Sequence, residues 1–105
     1  MDIENQISDR ISEEINDNWT LSNAHGVDLK KCLITPPKKG SFVDSFSKAP
    51  VDLWLVLEEA PEDKSGYKIV FDETSNMFGL ATAGWEGSDI YLGPYGTFLE
   101  ALESM

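Results

Sequence analysis

The residues best suited to nucleophilic chemistry are Cys32 and His25, the single cysteine and the single histidine of the chain. A cysteine beside a histidine that an acid orients is typical of thiol hydrolases, and Asp28 lies between the two. All three fall within eight residues, whereas catalytic partners usually come from separate segments. No glycine pattern typical of an oxyanion hole accompanies them. We therefore interpret His25 as a loop residue and Cys32 as a half-buried thiol, and predict no catalytic residue.

Metal binding is not favoured by the sequence either. A structural zinc site needs about four ligands from Cys, His or carboxylates, and the chain has one Cys and one His. Asp72, Thr74 and Asn76 begin like a calcium loop. The glycine and the glutamate that such a loop needs are replaced by Met77 and Ala83. We predict no metal and no cofactor.

Two carboxylate pairs and one glycine-rich corner are further candidates for catalysis or ligand binding. Glu58 and Glu59 are adjacent on a predicted strand and point to opposite faces. Glu62 and Asp63 fall in a charged turn that faces water, so neither pair suits glycoside hydrolysis. The 93–97 segment, GPYGT, places N–H groups at a helix start, where anions can bind. It lacks the lysine and the glycine spacing of a phosphate-binding loop, so we favour a strand-to-helix corner.

Trp85 is the best candidate for a binding contact. It lies in a glycine-flanked turn, AGWEG, where packing into a core is hard to arrange. Tryptophan is enriched among binding hot spots, and Tyr91 and Tyr95 follow closely in the sequence. We predict a partner-binding surface formed by Trp85, Tyr91 and Tyr95. The alternative is that Trp85 folds back over an edge of the sheet.

Charge is the most distinctive property of the composition. The 105 residues include 19 acids against 8 lysines and arginines, a net charge of −11, so phosphate backbones and anionic membranes repel the molecule. Residues 30–48 are the exception, because they hold five lysines and one acid. We call these lysines the basic segment: Lys30, Lys31, Lys38, Lys39 and Lys48. A solvated loop that neutralises nearby acids is the simplest interpretation.

Length and apolar content predict a single domain over residues 1–105. Hydrophobic residues make up 41% of the chain, enough apolar surface to offset the entropy of folding. The first residues show no secretory signal, and no run reaches the ~20 apolar residues that cross a bilayer. A single cysteine fits a reducing compartment. We expect a soluble, cytoplasmic protein.

The predicted fold is organised around a strand at Val51–Glu59, VDLWLVLEE, in which apolar residues alternate. One face carries Val51, Leu53, Leu55 and Leu57. Three more strands follow through short turns, which favours an antiparallel meander; they are Tyr67–Asp72, Met77–Thr82 and Asp89–Leu92. Within the second of these, Gly79 indicates a bulge or a close approach of two backbones.

Two short strands are predicted before the central strand. The first is Cys32–Thr35, which Pro36 and Pro37 end because proline donates no ladder hydrogen bond. The second is Ser41–Phe46, with Phe42 and Phe46 on one face.

Helices are predicted at both ends. Residues 2–18 carry isoleucine at every fourth position from Ile3 to Ile15, an apolar stripe that packs on the domain's own sheet or forms a dimer seam. Thr97 and Glu100 make a capping box at the start of a short C-terminal helix. The prediction is an α+β fold with an N-terminal helix, a mostly antiparallel meander of four to six strands and a short C-terminal helix.

The second half of the chain runs from VDLWLVLEE through GYKIVFDETSNMFGLA to YLGPYGTFLEALESM. It resembles small uncharacterised bacterial α+β proteins, whose strand meander ends in a Leu-Gly-x-Tyr-Gly-Ser/Thr-Phe segment and a short helix. The resemblance implies this fold and brings no activity, ligand or cofactor.

Three functions are compatible with these observations. The leading hypothesis is a small acidic, non-catalytic bacterial protein that binds another protein, such as a basic target of the kind that inhibitors and immunity proteins neutralise. The alternative is a small-molecule-binding or enzymatic domain with a pocket between sheet and helix. The third is a homodimer formed through the Ile3–Ile15 helix or an exposed strand edge. No nucleic acid or membrane partner is expected.

Overall fold

The computed structural model describes residues 3–16, 18–20, 26–60, 65–84 and 89–105. The elements, in chain order, are α1 (Ile3–Ile15), α2 (Leu29–Cys32), β1 (Leu33–Asp44), β2 (Pro50–Ala60), β3 (Ser65–Asp72), β4 (Met77–Ala83), β5 (Asp89–Gly96) and α3 (Phe98–Glu103). The predicted α+β fold is confirmed, with a helix at each end and a five-stranded sheet in meander order between them.

The N-terminal helix buries the isoleucine stripe that its sequence predicts. Ile7, Ile11 and Ile15 are buried in the chain's own core, so the packing on the domain's own sheet is confirmed for these residues. Asn16 ends the helix with φ of 51°, a left-handed conformation that asparagine tolerates better than most residues.

The strands pair in chain order and then close into a barrel. Each strand pairs antiparallel with the next one in the chain. A short parallel contact between the first strand, β1, and the last, β5, closes the barrel. In that contact Val43 lies opposite Ile90, and Asp44 lies opposite Tyr91. An odd number of meandering strands brings the first and last together in parallel, which explains the single exception to the antiparallel pattern.

One apolar cluster takes a buried residue from each strand: Phe42, Leu53, Val70, Ala81 and Tyr91. Side chains from all five strands of a closed ring meet one another only inside it. This cluster is therefore the interior of the barrel, which side chains fill as expected for a small barrel.

A larger apolar cluster lies on the outer face, between the strands and the three helices. The strands contribute Val56, Leu57, Ile69, Phe71, Phe78 and Leu80. The helices contribute Ile7, Ile11, Ile15, Leu29, Cys32, Phe98, Ala101 and Leu102. Phe78 makes edge-to-face contacts with Phe71 and Phe98, at ring-centroid distances of 5.0 and 5.8 Å. The helices thus cover the outside of the barrel.

The central strand follows its predicted alternation only in part. Leu53 faces the interior and Val56 the outer cluster, as a period of two requires. A register shift between Leu55 and Leu57 then places Leu57 beside Val56 in the outer cluster. The prediction that Leu57 shares a face with Leu53 is wrong, because the irregular pairing to β3 turns the strand at that point.

The two short strands predicted before residue 50 form one long strand, so that prediction is wrong. Leu33 pairs with Leu57 and Lys38 with Leu55, so five steps along β1 match two along β2. The prolines lie in this irregular stretch, where no ladder donor is required, and pairing resumes after it. Phe42 is buried, but Phe46 lies in the following turn and is 87% exposed; the predicted shared face is wrong as well.

Candidate functional site

The predicted nucleophile residues have structural roles where the structure describes them. The Asp28 carboxylate accepts the backbone N–H of Lys30 at 3.0 Å and caps α2. Cys32 is buried, and its thiol donates to the Glu59 carbonyl oxygen at 3.7 Å. His25 lies outside the described residues. Within the described ranges no group of three or more His, Cys, Asp or Glu residues is arranged to hold a metal ion.

The helix start that could bind an anion is already occupied by a carboxylate of the same chain. Glu14 of α1 accepts the backbone N–H of Phe98 at 3.1 Å and that of Leu99 at 3.0 Å. Thr97 and Glu100 form the predicted capping box at the same corner. The corner therefore joins α1 to α3, as a structural contact between two helices.

The three predicted contact residues have different surroundings. Trp85 lies outside the described residues. Tyr95 is 40% exposed, whereas Tyr91 is 5% exposed and lies in the barrel interior. A partner can reach the Tyr95 ring but not that of Tyr91. The contact surface itself stays a prediction.

The Tyr91 hydroxyl is buried and has no hydrogen-bond partner among the described residues. Burial, with smaller effects from the Asp72 and Asp44 carboxylates, raises the pKa of Tyr91 from 10.0 to about 12. A Cβ atom on Gly79 would lie 2.9 Å from the Tyr91 ring and would collide with the Gly93 carbonyl oxygen. The close backbone approach predicted at Gly79 is confirmed, and the strand pairing also shifts beside it.

Two charged residues on the neighbouring strands β2 and β3 are buried. Glu58 is 4% exposed and Lys68 is 3% exposed, and they lie directly opposite each other. The Lys68 ammonium also pairs with the Asp89 carboxylate at 3.4 Å, which offsets part of its desolvation cost. Sequence reasoning missed this cluster. The sequence did contain a signal. Lys68 lies two positions before Val70 on the same strand, so its side chain points to the same face as that interior residue.

A cleft of about 360 Å³ opens between α1, α2 and the start of β1. Its apolar lining is Ile11, Trp19, Leu29, Leu33, Ile34 and Pro37. Its polar lining is Ser8, Ser12, Lys30 and Thr35. The irregular stretch of β1 forms one wall, so Pro37, which was predicted to end a strand, instead lines a cleft.

The opposite flank of α1 is fixed to the rest of the molecule. The Arg10 guanidinium donates to the Asn76 backbone oxygen at 3.0 Å and lies over the rings of Phe71 and Phe78, about 5 Å from each centroid. Glu14 holds α3 from the same flank. These contacts leave the side of α1 that carries Ser8 and Ser12 to line the cleft.

The two terminal helices carry mainly acids, whereas the exposed lysines of the basic segment lie on other elements. α1 and α3 contact each other and together hold six acids and one arginine. After Glu14 and Glu100 have been used as caps, four carboxylates of these helices have no partner among the described residues: Glu4, Asp9, Glu13 and Glu103. Glu4 lies one turn before Ser8, on the flank of α1 that lines the cleft. We therefore give the name acidic helical surface to the three exposed acids, Asp9, Glu13 and Glu103. The five lysines of the basic segment are all exposed, on α2, on β1 and in the turn after it.

A second surface group lies beside the basic segment. The Trp54 indole N–H donates to the Glu73 carboxylate, and the Lys39 ammonium lies 3.9 Å from the same carboxylate and 5.7 Å from the Trp54 ring centroid. Lys39 therefore has local partners on the barrel surface. No corresponding ion pair joins Lys30 to a described residue.

No protein-family model, curated protein or solved structure matches the chain. The resemblance of its second half to small bacterial proteins accordingly stays a prediction. None of the helices in the described ranges has the length and apolar character to cross a membrane.

Proposed function

We propose that the protein is a non-catalytic binding protein of the bacterial cytoplasm and that its acidic helical surface binds a basic partner protein. The observation that supports this is the separation of charge between the helices α1 and α3 and the basic segment. Among the described residues, nothing points to a catalytic centre, which leaves binding as the function that this charge arrangement favours.

The acids of this surface are available for a partner. Asp9 and Glu13 are exposed one helical turn apart, so their side chains share a face. Arg10, the one base of the two helices, points instead to Asn76 and to two phenylalanine rings. Carboxylates without internal partners attract a basic surface from a distance and orient it during the encounter.

The separation of charge also gives the encounter a direction. A basic partner is attracted to the helical surface and repelled by the lysines of residues 30–48. Such an arrangement mainly raises the association rate and selects one orientation. It predicts binding that weakens steeply with added salt.

The test compares two variants of equal net charge. Asp9→Asn with Glu13→Gln removes two acids of the helical surface, and Asp52→Asn with Glu62→Gln removes two acids elsewhere in the chain. Partners captured from native lysate at low and high salt are identified by mass spectrometry and purified, and their affinity is measured by titration. We expect the helical variant to weaken binding about tenfold, as two rim charges would, and the control variant to stay within about twofold.

Two results would contradict the proposal. One is a partner whose affinity does not change with salt, and the other is an equal loss of affinity in both variants. The same titration with Trp85→Ala and with Tyr95→Ala measures whether the predicted aromatic contact surface takes part in the complex.

A further inference from the structure

We infer that the cleft between α1, α2 and β1 binds a small amphipathic carboxylate, with its apolar chain on Leu29 and Ile11 and its carboxylate at Lys30. This inference is independent of the proposed protein partner, because no residue of the acidic helical surface lines the cleft.

The cleft has the size and floor of a ligand site. Its 360 Å³ falls within the range of small-molecule pockets. At about 30 Å³ per water-sized group, it holds roughly twelve non-hydrogen atoms. Leu29 and Ile11 are buried beneath it, and Trp19 stands at its side with 37% of its surface exposed. Six of the ten described lining residues are apolar, which favours an apolar chain in the floor.

The charge of the lining selects the sign of the head group. The chain carries more than twice as many acids as bases, yet Lys30 is the one charged residue among the described residues that line the cleft. Lys31 and Lys38 each directly follow a lining residue in the chain, but so do the acids Asp9 and Glu13, so Lys30 alone gives the lining its positive charge. An anionic head group is therefore attracted to Lys30, in a molecule whose net charge otherwise repels anions.

Hydroxyl groups supply the remaining polar contacts. Ser8 and Ser12 lie one turn apart on α1, and Thr35 of β1 lines the same cleft. No described residue takes up the hydrogen-bonding capacity of these three hydroxyls. Together with the Lys30 ammonium they form a set of donors around an apolar floor, which suits a carboxylate with a short aliphatic tail.

The test uses three probes that share a ten-carbon chain and differ in the head group: decanoate, decanol and decyltrimethylammonium. Each is titrated below its micelle concentration into the full chain by calorimetry, and amide shifts in an NMR spectrum locate the site. We expect decanoate to bind most tightly and to shift the amides of Ser12, Leu29 and Thr35. Lys30→Gln should weaken decanoate about fivefold, the factor of one partly exposed charge pair, and leave decanol unchanged.

Lys48→Gln is the matched control, because it removes the same charge in the turn that follows β1 and should leave decanoate binding within about twofold. Ser12→Phe fills the cleft and should abolish binding of all three probes. If that variant does not fold, the Lys30 comparison and the amide shifts decide. The inference is overturned if decanoate does not bind at millimolar concentration, if the cationic probe binds as tightly, or if the shifted amides lie outside the cleft.

Discussion

Replacing Glu14 by alanine should lower the free energy of unfolding by about 2 kcal/mol, because its carboxylate satisfies the start of α3 from another helix. A helix leaves its first N–H groups without intrahelical partners. In α3, the N–H groups of Phe98 and Leu99 donate to Glu14, and that of Glu100 donates to the Thr97 hydroxyl at 3.1 Å. The N–H of Thr97 donates to the Glu100 carboxylate at 3.3 Å. Glu14 therefore supplies half of the four acceptors that this helix start needs.

The magnitude follows from the two bonds that are lost. Removing an N-cap acceptor costs about 0.5–2 kcal/mol, and a hydrogen bond to a charged group contributes about 1.5–3 kcal/mol. The two contacts are partly buried, and water replaces some of their energy after truncation, so we take about 2 kcal/mol for the pair. For a domain of this length the melting temperature would fall by about 9 °C.

The assay is urea unfolding followed by circular dichroism, with Glu13→Ala as the control. Both substitutions change glutamate to alanine in the same helical turn, so their effects on helix propensity match. Glu13 is exposed and has no partner among the described residues, and its loss should cost less than about 0.5 kcal/mol. Glu14→Gln keeps one acceptor oxygen and should fall between the two. Equal midpoints for the two alanine variants would refute the reasoning.

Two further predictions concern the barrel interior. Gly79→Ala should lower the free energy of unfolding in urea by about 2–3 kcal/mol, because the added Cβ collides with backbone. Gly40→Ala should leave that free energy nearly unchanged, because its Cβ would lie 3.6 Å from Phe42, an ordinary contact distance. The Tyr91 pKa is raised to about 12 in the fold, so the unfolded chain releases this proton first and stability falls as pH rises from 10 to 12. Tyr91→Phe should lose less stability over that interval, and equal losses would contradict the assigned burial.

The elements with a regular hydrophobic period could be predicted from the sequence. The isoleucine spacing of α1 indicates a helix and the apolar run of β2 indicates a strand, without reference to the segments beside them. The Thr97 capping box is equally local, since its two partners are three residues apart. Gly79 indicated a close backbone approach, although only the fold identifies the Gly93 carbonyl as the other side of it.

The remaining features depend on contacts between distant segments. Closure of the barrel needs Val43 beside Ile90, and no period in either strand encodes that pairing. The register shift at Leu57 arises between β2 and β3, so alternation within β2 alone predicts the wrong face. Pro36 and Pro37 end a regular ladder, as expected, but pairing resumes after the irregular stretch because β2 is long enough to continue it. The irregular stretch before that resumption forms one wall of the cleft.

The two flanks of α1 connect stability with binding. Arg10 and Glu14 hold one flank against the β3–β4 turn and α3, and the opposite flank presents Ser8 and Ser12 to the cleft. Because a helix moves largely as a rigid body, the anchored flank also sets the distance from Ser12 to the wall formed by β1. A cleft bounded by an anchored helix loses less conformational entropy when a ligand enters, since its walls are already positioned. The contacts that Glu14 makes with α3 therefore bear on the cleft, although they lie across the helix from it.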